Sequence, residues 1–196
     1  MDRRSSWKWS FLLILKIPTL NLAKKMLCLV FSAVLSSACS QNQPLDKPKT
    51  KQPEFGKKID GLLSFTVPLL SVSNLIKNKD NYIIFDAREK EEFEISHIPD
   101  AIFLGYSDFN EIRLKDIPKE SSIVVYCSIG YRSEKIGEKM LRSGYKNVYN
   151  LYGSIFEWVN ENYPLVNAKG KFTSNLHSYN KSWSKWVTNK DIKTVW

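Results

Sequence analysis

Residues Ile123–Ser133 read IVVYCSIGYRS. The run Ser122–Tyr126 is apolar, β-branched and short, as a buried strand is. It stops at Cys127, and a helical pattern opens near Arg132–Ser133. Ile136, Met140 and Leu141 then recur at helical spacing, and Gly144 stands where a helix is commonly closed. The cysteine therefore sits where the strand ends, just before the five-residue loop Ser128–Arg132 that leads into the next helix.

That position has chemical consequences. Gly130 allows a positive φ in the turn. A short curled loop running into a helix directs successive N–H groups inward, and with the helix dipole they stabilise an anion. The same field favours thiolate over thiol, and cysteines so placed have pKa values lowered from about 8.5 to roughly 3.5–7.5. Cys127 is thus a candidate nucleophile, with Ser128, Ile129, Gly130, Tyr131 and Arg132 as the candidate substrate-binding loop. A cysteine that only packs at a strand end is the competing reading, and it leaves the following Gly, Arg and Ser unexplained. Arg132 has two open roles, charge toward an anionic donor or an ordinary helix-start pairing with an acid.

Working outward, Tyr82–Phe85, Ala101–Leu104 and Val148–Leu151 read as further short strands. Helical patterns lie between and around them at Ser71–Lys77, Ser133–Ser143 and Gly153–Asn162. Alternating short strands and helices predict an α/β domain with a mainly parallel sheet, whose ligands sit at the C-terminal ends of the strands. Cys127 falls at such an end.

The chain has 196 residues and a formal net charge of +9. The basic excess lies in the two ends, while residues 61–167 hold more acids than bases. No basic, aromatic-interleaved face occurs in the middle, so nucleic acid is not an expected partner. The cysteines, Cys28, Cys39 and Cys127, form no CxxC pair and no zinc-type cluster with His97 or His177, so neither a metal nor another cofactor is expected. Lys24 and Lys25 precede the apolar segment MLCLVFSAVLSSA, which is too short to span a bilayer comfortably. The following LSSAC resembles the lipobox of bacterial lipoprotein signals, with Ser36 where leucine is usual. Residues 1–38 are therefore expected to be a removed signal peptide and Cys39 a lipidated N-terminus, placing the protein outside the cytoplasmic membrane and anchored to it. Residues 39–59, rich in Pro, Lys and Gln, are expected to be a flexible tether with about 25 Å of reach. The domain proper is expected over 60–167. Residues 168–196 form a basic, aromatic extension in which Leu176, Tyr179, Trp183 and Val187 could line one helical face, the aromatics covering part of the domain. His177 shows no partner in the sequence.

Upstream of the cysteine loop, Asp86–Ala101 reads DAREKEEFEISHIPDA. This resembles the first signature of rhodanese-like domains, with Asp86, Arg88, Glu92, Phe93, His97, Ile98, Pro99 and Ala101 matching. CSIGYRS resembles the family's active-site loop C-x-x-G-x-R-S, and LYGSIFEW its closing segment. Ser96 and Asp100 depart from the family by replacing the glycines that flank HIP, with local strain as the expected result. The resemblance implies a rhodanese-like α/β fold, a mainly parallel central sheet with helices on both faces. It implies a sulfurtransferase that takes sulfane sulfur from a donor such as thiosulfate onto Cys127 as a persulfide and passes it to a thiol or cyanide. Asp86 and Arg88 are expected to form a supporting polar pair, Glu92 and Phe93 to serve helix pairing and packing, and His97 to be positional. A non-catalytic rhodanese-like binding module is the alternative. A cysteine phosphatase or arsenate reductase uses a longer C-x5-R loop, whereas Cys127–Arg132 is C-x4-R. A thiol–disulfide oxidoreductase would lack a resolving cysteine once the leader is removed and Cys39 lipidated.

Overall fold

The computed structural model describes residues 47–196; the leader read over 1–38 and the lipidation site Cys39 lie outside the described residues. The chain runs through α1 (Pro53–Asp60), β1 (Leu69–Leu70), α2 (Val72–Lys77), β2 (Ile83–Asp86), α3 (Lys90–Ile95), β3 (Ile102–Phe103) and β4 (Ser122–Tyr126). It continues through α4 (Tyr131–Arg142), β5 (Asn147–Leu151), α5 (Ser154–Asn160), β6 (Leu165–Val166), β7 (Phe172–Thr173), β8 (Asn175–His177) and β9 (Lys193–Val195).

Five strands form one sheet in the order β1-β5-β4-β2-β3, and every neighbouring pair is parallel. Period-2 alternation along β4 divides the core. Ile123 and Val125 face Ile136 and Met140 of α4, while Val124 and Tyr126 join Phe55 of α1, Leu75 of α2 and Phe156 of α5. Helices therefore cover both faces, as expected, and the central strand is apolar on both sides because both sides are buried. The strands and helices read within residues 60–167 all appear. The edge strand is shorter than expected, with only Ile102 and Phe103 paired to β2.

Asp100 takes φ +68° and forms an ion pair with Lys79, so the replaced glycine leaves a left-handed backbone behind. Ser96 is fully buried and extended; its carbonyl accepts Arg88 Nη2–H at 2.6 Å, and its hydroxyl has no partner.

Two expectations need correction. The flexible tether does not reach residue 59. Pro53 opens α1 at a position where its missing N–H costs nothing, and Glu54 and Lys57–Lys58 complement the helix dipole. Phe55 and Ile59, four residues apart, are both wholly buried. Phe55 stacks on Phe156 and on Trp186, at centroid distances of 6.3 and 5.5 Å. Just before the helix, the Lys51 N–H donates to Glu157 at 2.5 Å and its ammonium to the Asn160 carbonyl at 2.6 Å. Two apolar residues in a polar stretch are enough to dock this segment, although its composition reads as disordered.

The C-terminal extension is likewise not a helix. β8 pairs in parallel with β9, and a 3₁₀ turn spans Ser184–Trp186. Tyr179 at φ +67° turns the chain out of any helical path, and Ser178 N–H donates to the Val195 carbonyl at 2.8 Å. The extension is tied to the end of α5 by polar bonds. Asn160 Nδ2–H donates to the Trp186 carbonyl, and Asn160 Oδ1 accepts from Thr188 N–H, both at 2.8 Å.

Phe55→Ala is expected to lower the unfolding free energy by about 3–5 kcal/mol, the range for emptying a buried aromatic site. Urea denaturation checks this; an unchanged midpoint would return residues 47–60 to the status of a tether.

Candidate active site

Cys127 follows β4 directly, with β2 and β5 flanking it, at the C-terminal end of the middle strand. Gly130 adopts φ +120°, a backbone that side-chain-bearing residues rarely take, and α4 begins at the next residue. The fold so returns the loop amides to the cysteine. Sγ accepts the Gly130 N–H at 3.2 Å, and the Ser133 hydroxyl stands 3.6 Å away. The Ser133 hydroxyl also lies 2.7 Å from Asn150 Oδ1 and 3.1 Å from the Gly130 carbonyl. Its single proton serves one acceptor at a time, and the Asn150 contact is the shortest. Asn150 Nδ2–H closes the ring by donating to the Gly130 carbonyl at 2.9 Å.

Cys127 is 1 % exposed. Burial pushes its thiol up. The Arg132 charge, the N–H and hydroxyl of Ser133 and the Gly130 N–H together outweigh burial and leave the pKa below its ordinary value. The surroundings therefore favour the thiolate form of a sulfur that is almost closed off from bulk water.

The base of the loop is held by the segment entering α5. Ser154 Oγ accepts the Cys127 N–H at 3.1 Å and donates to the Leu151 carbonyl at 3.0 Å. The Ile155 and Phe156 N–H groups reach the carbonyls of Cys127 and Ser128. Gly153 and Ser154 make this possible at φ +74° and +53°, and strain of this kind in a non-glycine residue gathers at sites the surrounding structure over-determines.

Arg132 resolves in favour of pairing. Its guanidinium grips Glu92 through two bonds, 2.6 Å to Oε2 and 2.9 Å to Oε1, and donates to Ser128 Oγ at 2.9 Å. Burial pushes the Glu92 carboxyl up, but the bonds from Arg132 prevail and hold it ionised. Arg132 still contributes charge to the sulfur while its donors are spent on Glu92. Asp86 and Arg88 form the supporting pair. Both are wholly buried, with Arg88 Nη2–H to Asp86 Oδ2 at 2.7 Å and Arg88 Nε–H to Asp86 Oδ1 at 3.0 Å. Neither lines the cavity at the cysteine.

His97 stacks on Phe93 and its Nδ1 lies 2.9 Å from the Phe93 carbonyl, a positional role. His177 does have neighbours. Its Nδ1 stands 3.7 Å from Glu92 Oε1, yet it accepts the Tyr179 N–H at 3.2 Å. An acceptor nitrogen carries no proton, so His177 is a neutral neighbour of Glu92, and burial lowers its pKa in keeping with that.

Cys127 lines a cavity of about 580 Å³. Ser128, Ile129, Tyr131 and Arg132 line it with the cysteine. The remaining walls include Leu62 and Tyr106, and Tyr179 and Trp183 from the C-terminal extension. Sequence reading missed Asn150, Ser154, Leu62, Tyr106, Tyr179 and Trp183. Asn150 had a usable signal, a polar residue inside an otherwise buried strand.

Fold and site together define a parallel α/β domain built around one activated cysteine. Residues 71–161 match the family model for the rhodanese-like domain. A protein named sulfurtransferase from Allochromatium vinosum is 32% identical over 100 residues, which are 51% of this chain and 92% of that protein. The chain belongs to the rhodanese-like domain family. It is also similar to a tRNA uridine(34) hydroxylase of Yersinia pestis, 35% identical over 92 residues; these are 44% of this chain and only 26% of the hydroxylase. The crystal structure of a rhodanese-related protein from Thermoplasma volcanium is 28% identical, matching 50% of this chain and 97% of that one with a TM-score of 0.45.

Two outcomes follow from this geometry. Asp86→Asn leaves a buried guanidinium without its counter-charge and is expected to destabilise the fold by about 3–5 kcal/mol in urea unfolding. The pH profile of Cys127 alkylation is expected to have its midpoint below that of a free thiol, about 8.5. Below that midpoint the sulfur is protonated and slow, above it ionised and fast. Ser133→Ala removes a donor from the anion and is expected to move the midpoint upward.

Proposed function

We propose that the protein is a rhodanese-type sulfurtransferase in which Cys127 carries the transferred sulfur. The observation that carries this reading is the geometry of a buried cysteine at the end of β4 whose sulfur accepts the Gly130 N–H at 3.2 Å, with the Ser133 hydroxyl 3.6 Å away. Its similarity to the Allochromatium vinosum sulfurtransferase over nearly all of that protein supports the same class.

The chemistry is a double displacement. The Cys127 thiolate attacks the outer sulfur of a donor such as thiosulfate. The bond between that sulfur and the donor breaks, and its electron pair leaves with sulfite. The resulting persulfide anion occupies the position the loop amides already serve. An acceptor thiolate or cyanide then attacks the outer sulfur, the S–S bond to Cys127 breaks, and the electron pair returns to Sγ. Sulfur moves without net oxidation of the enzyme, so no external oxidant is needed. With the leader removed and Cys39 lipidated, as this proposal has it, Cys127 is the one free thiol, and the discharging group is an external one.

A phosphatase reading has less support. Phosphate needs a free guanidinium as well as amides, and Arg132 is committed to Glu92 and Ser128. The leader and Cys39, on this proposal, hold the reaction outside the cytoplasmic membrane.

Intact mass spectrometry after incubation with thiosulfate tests the reading. The protein is expected to gain one sulfur atom, to lose it on addition of cyanide, and to gain none as Cys127→Ser. Absence of any gain, with phosphate released from an aryl phosphate instead, overturns it.

A further inference from the structure

The cavity in front of Cys127 is built from two sources. Its deep part comes from the cysteine loop, inside the family-matched range 71–161. Three of its wall residues, Leu62, Tyr179 and Trp183, come from segments outside that range, before and after it. These segments are folded against the domain rather than hanging from it. Ser178 is wholly buried, and its hydroxyl meets Ser184 at 2.8 Å. Leu176 is wholly buried in the main core, and Trp183 packs against the same core. Tyr179, 57% exposed and at φ +67°, is held with its ring 5.3 Å from the Arg132 guanidinium carbon. A cation beside an aromatic face at that distance is attractive and keeps the ring over the mouth of the loop.

The walls select by chemistry. Leu62, Tyr106, Ile129, Tyr131, Tyr179 and Trp183 present apolar and aromatic surface. The one cation among the lining residues, Arg132, is neutralised by Glu92, and a second carboxylate, Glu89, lies in the wall. The amides at Cys127 suit the small anionic sulfur end of a reactant. The walls suit an uncharged body and offer no unpaired cation to a second anionic group. A volume of about 580 Å³ lies within the roughly 300–1,000 Å³ of pockets that enclose organic ligands, far beyond what cyanide needs.

We propose that the sulfur acceptor is a small organic thiol with an uncharged aromatic or alkyl body, and that Tyr179 and Trp183 are the residues that select it. This rests on the sulfurtransferase reading. The acceptor thiolate attacks the outer sulfur of the Cys127 persulfide, the S–S bond to Sγ breaks with its electron pair staying on Sγ, and the acceptor leaves as an organic persulfide. Its ring or chain lies between Tyr179, Trp183 and Leu62 during the attack. Aromatic contacts of this kind contribute beyond the area they bury.

The test uses the purified protein loaded with one sulfur at Cys127, with discharge followed by mass spectrometry. Benzyl mercaptan is the apolar probe, 2-mercaptoethanesulfonate the anionic thiol and cyanide the small acceptor. Benzyl mercaptan is expected to give a kcat/KM about tenfold above 2-mercaptoethanesulfonate after correction for thiol ionisation. In Tyr179→Ala and Trp183→Ala, the ratio of kcat/KM for benzyl mercaptan to that for cyanide is expected to fall about tenfold, with Trp183→Phe restoring most of it. Tyr179 is surface-exposed, so Tyr179→Ala keeps the test valid if Trp183→Ala fails to fold. Equal discharge by the two thiols, or an unchanged ratio in Tyr179→Ala, overturns the inference while leaving sulfur transfer intact. A protein that loads no sulfur from thiosulfate or polysulfide overturns both.

Discussion

Water scarcely reaches the Cys127 sulfur, so any negative charge on it has to be stabilised by the protein, and the surrounding structure is arranged around that requirement. An isolated buried anion is costly, and an unassisted thiol in the same place would stay protonated. The solution is local and made of backbone. β4 delivers Cys127 to the rim of the sheet, Gly130 takes a left-handed step, and α4 starts at once, so the Gly130 N–H and the Ser133 hydroxyl meet the sulfur they follow in sequence. Fixed dipoles of this kind need no reorganisation when charge appears, and they act more strongly in a dry site than in water.

The loop is held from three directions by groups that never touch the sulfur. Ser154 and the first amides of α5 fix the backbone of Cys127 and Ser128 from behind. Asn150, wholly buried in β5, ties Ser133 to the Gly130 carbonyl. Glu134, wholly buried in the first turn of α4, accepts the N–H groups of Ser64 and Thr66 and so locks the incoming chain to the helix. Glu92 is the fourth constraint and an electrostatic one. By binding Arg132 through both oxygens it fixes the guanidinium near the sulfur and cancels most of its long-range field. The cysteine feels a nearby cation, whereas a molecule in the cavity meets an ion pair.

The mainly parallel sheet and the cysteine loop were legible because each rests on a short-range pattern, while the helices on both faces came only with the family resemblance. β4 is a continuous apolar run, α4 has helical spacing closed by glycine, and Gly130 marks the one step that needs a positive φ. What escaped was long-range. Phe55 and Ile59 look like isolated apolar residues in a lysine- and proline-rich stretch, and only packing into the main core, with Phe55 stacked on Phe156 and Trp186 more than a hundred residues on, buries them. The spacing of Leu176, Tyr179 and Trp183 imitates a helix, but pairing of β8 with β9 overrides it. Nothing local says that Tyr179 returns to Arg132. The sequence alone does not decide between charge and pairing for Arg132 because its acid, Glu92, comes from a different element; the structure shows the pairing.

This division separates what the domain must keep from what it can vary. The sulfur, its amides, Asn150 and Ser154 are mutually constrained, since each hydrogen bond fixes the geometry of the next. A change in any of them is felt at Sγ. The walls are under no such demand. Leu62 arrives from the turn after α1, and Tyr179 and Trp183 from a segment secured by its own strand pair and by Asn160. Leu62 and Trp183 meet the cavity without taking part in the loop's bonds, and Tyr179 touches the loop only through its ring beside Arg132, so their size and polarity can change with little effect on the amides at the sulfur. Selectivity in this fold can therefore be set by flanking segments, and the nucleophile's electrostatics by the core alone.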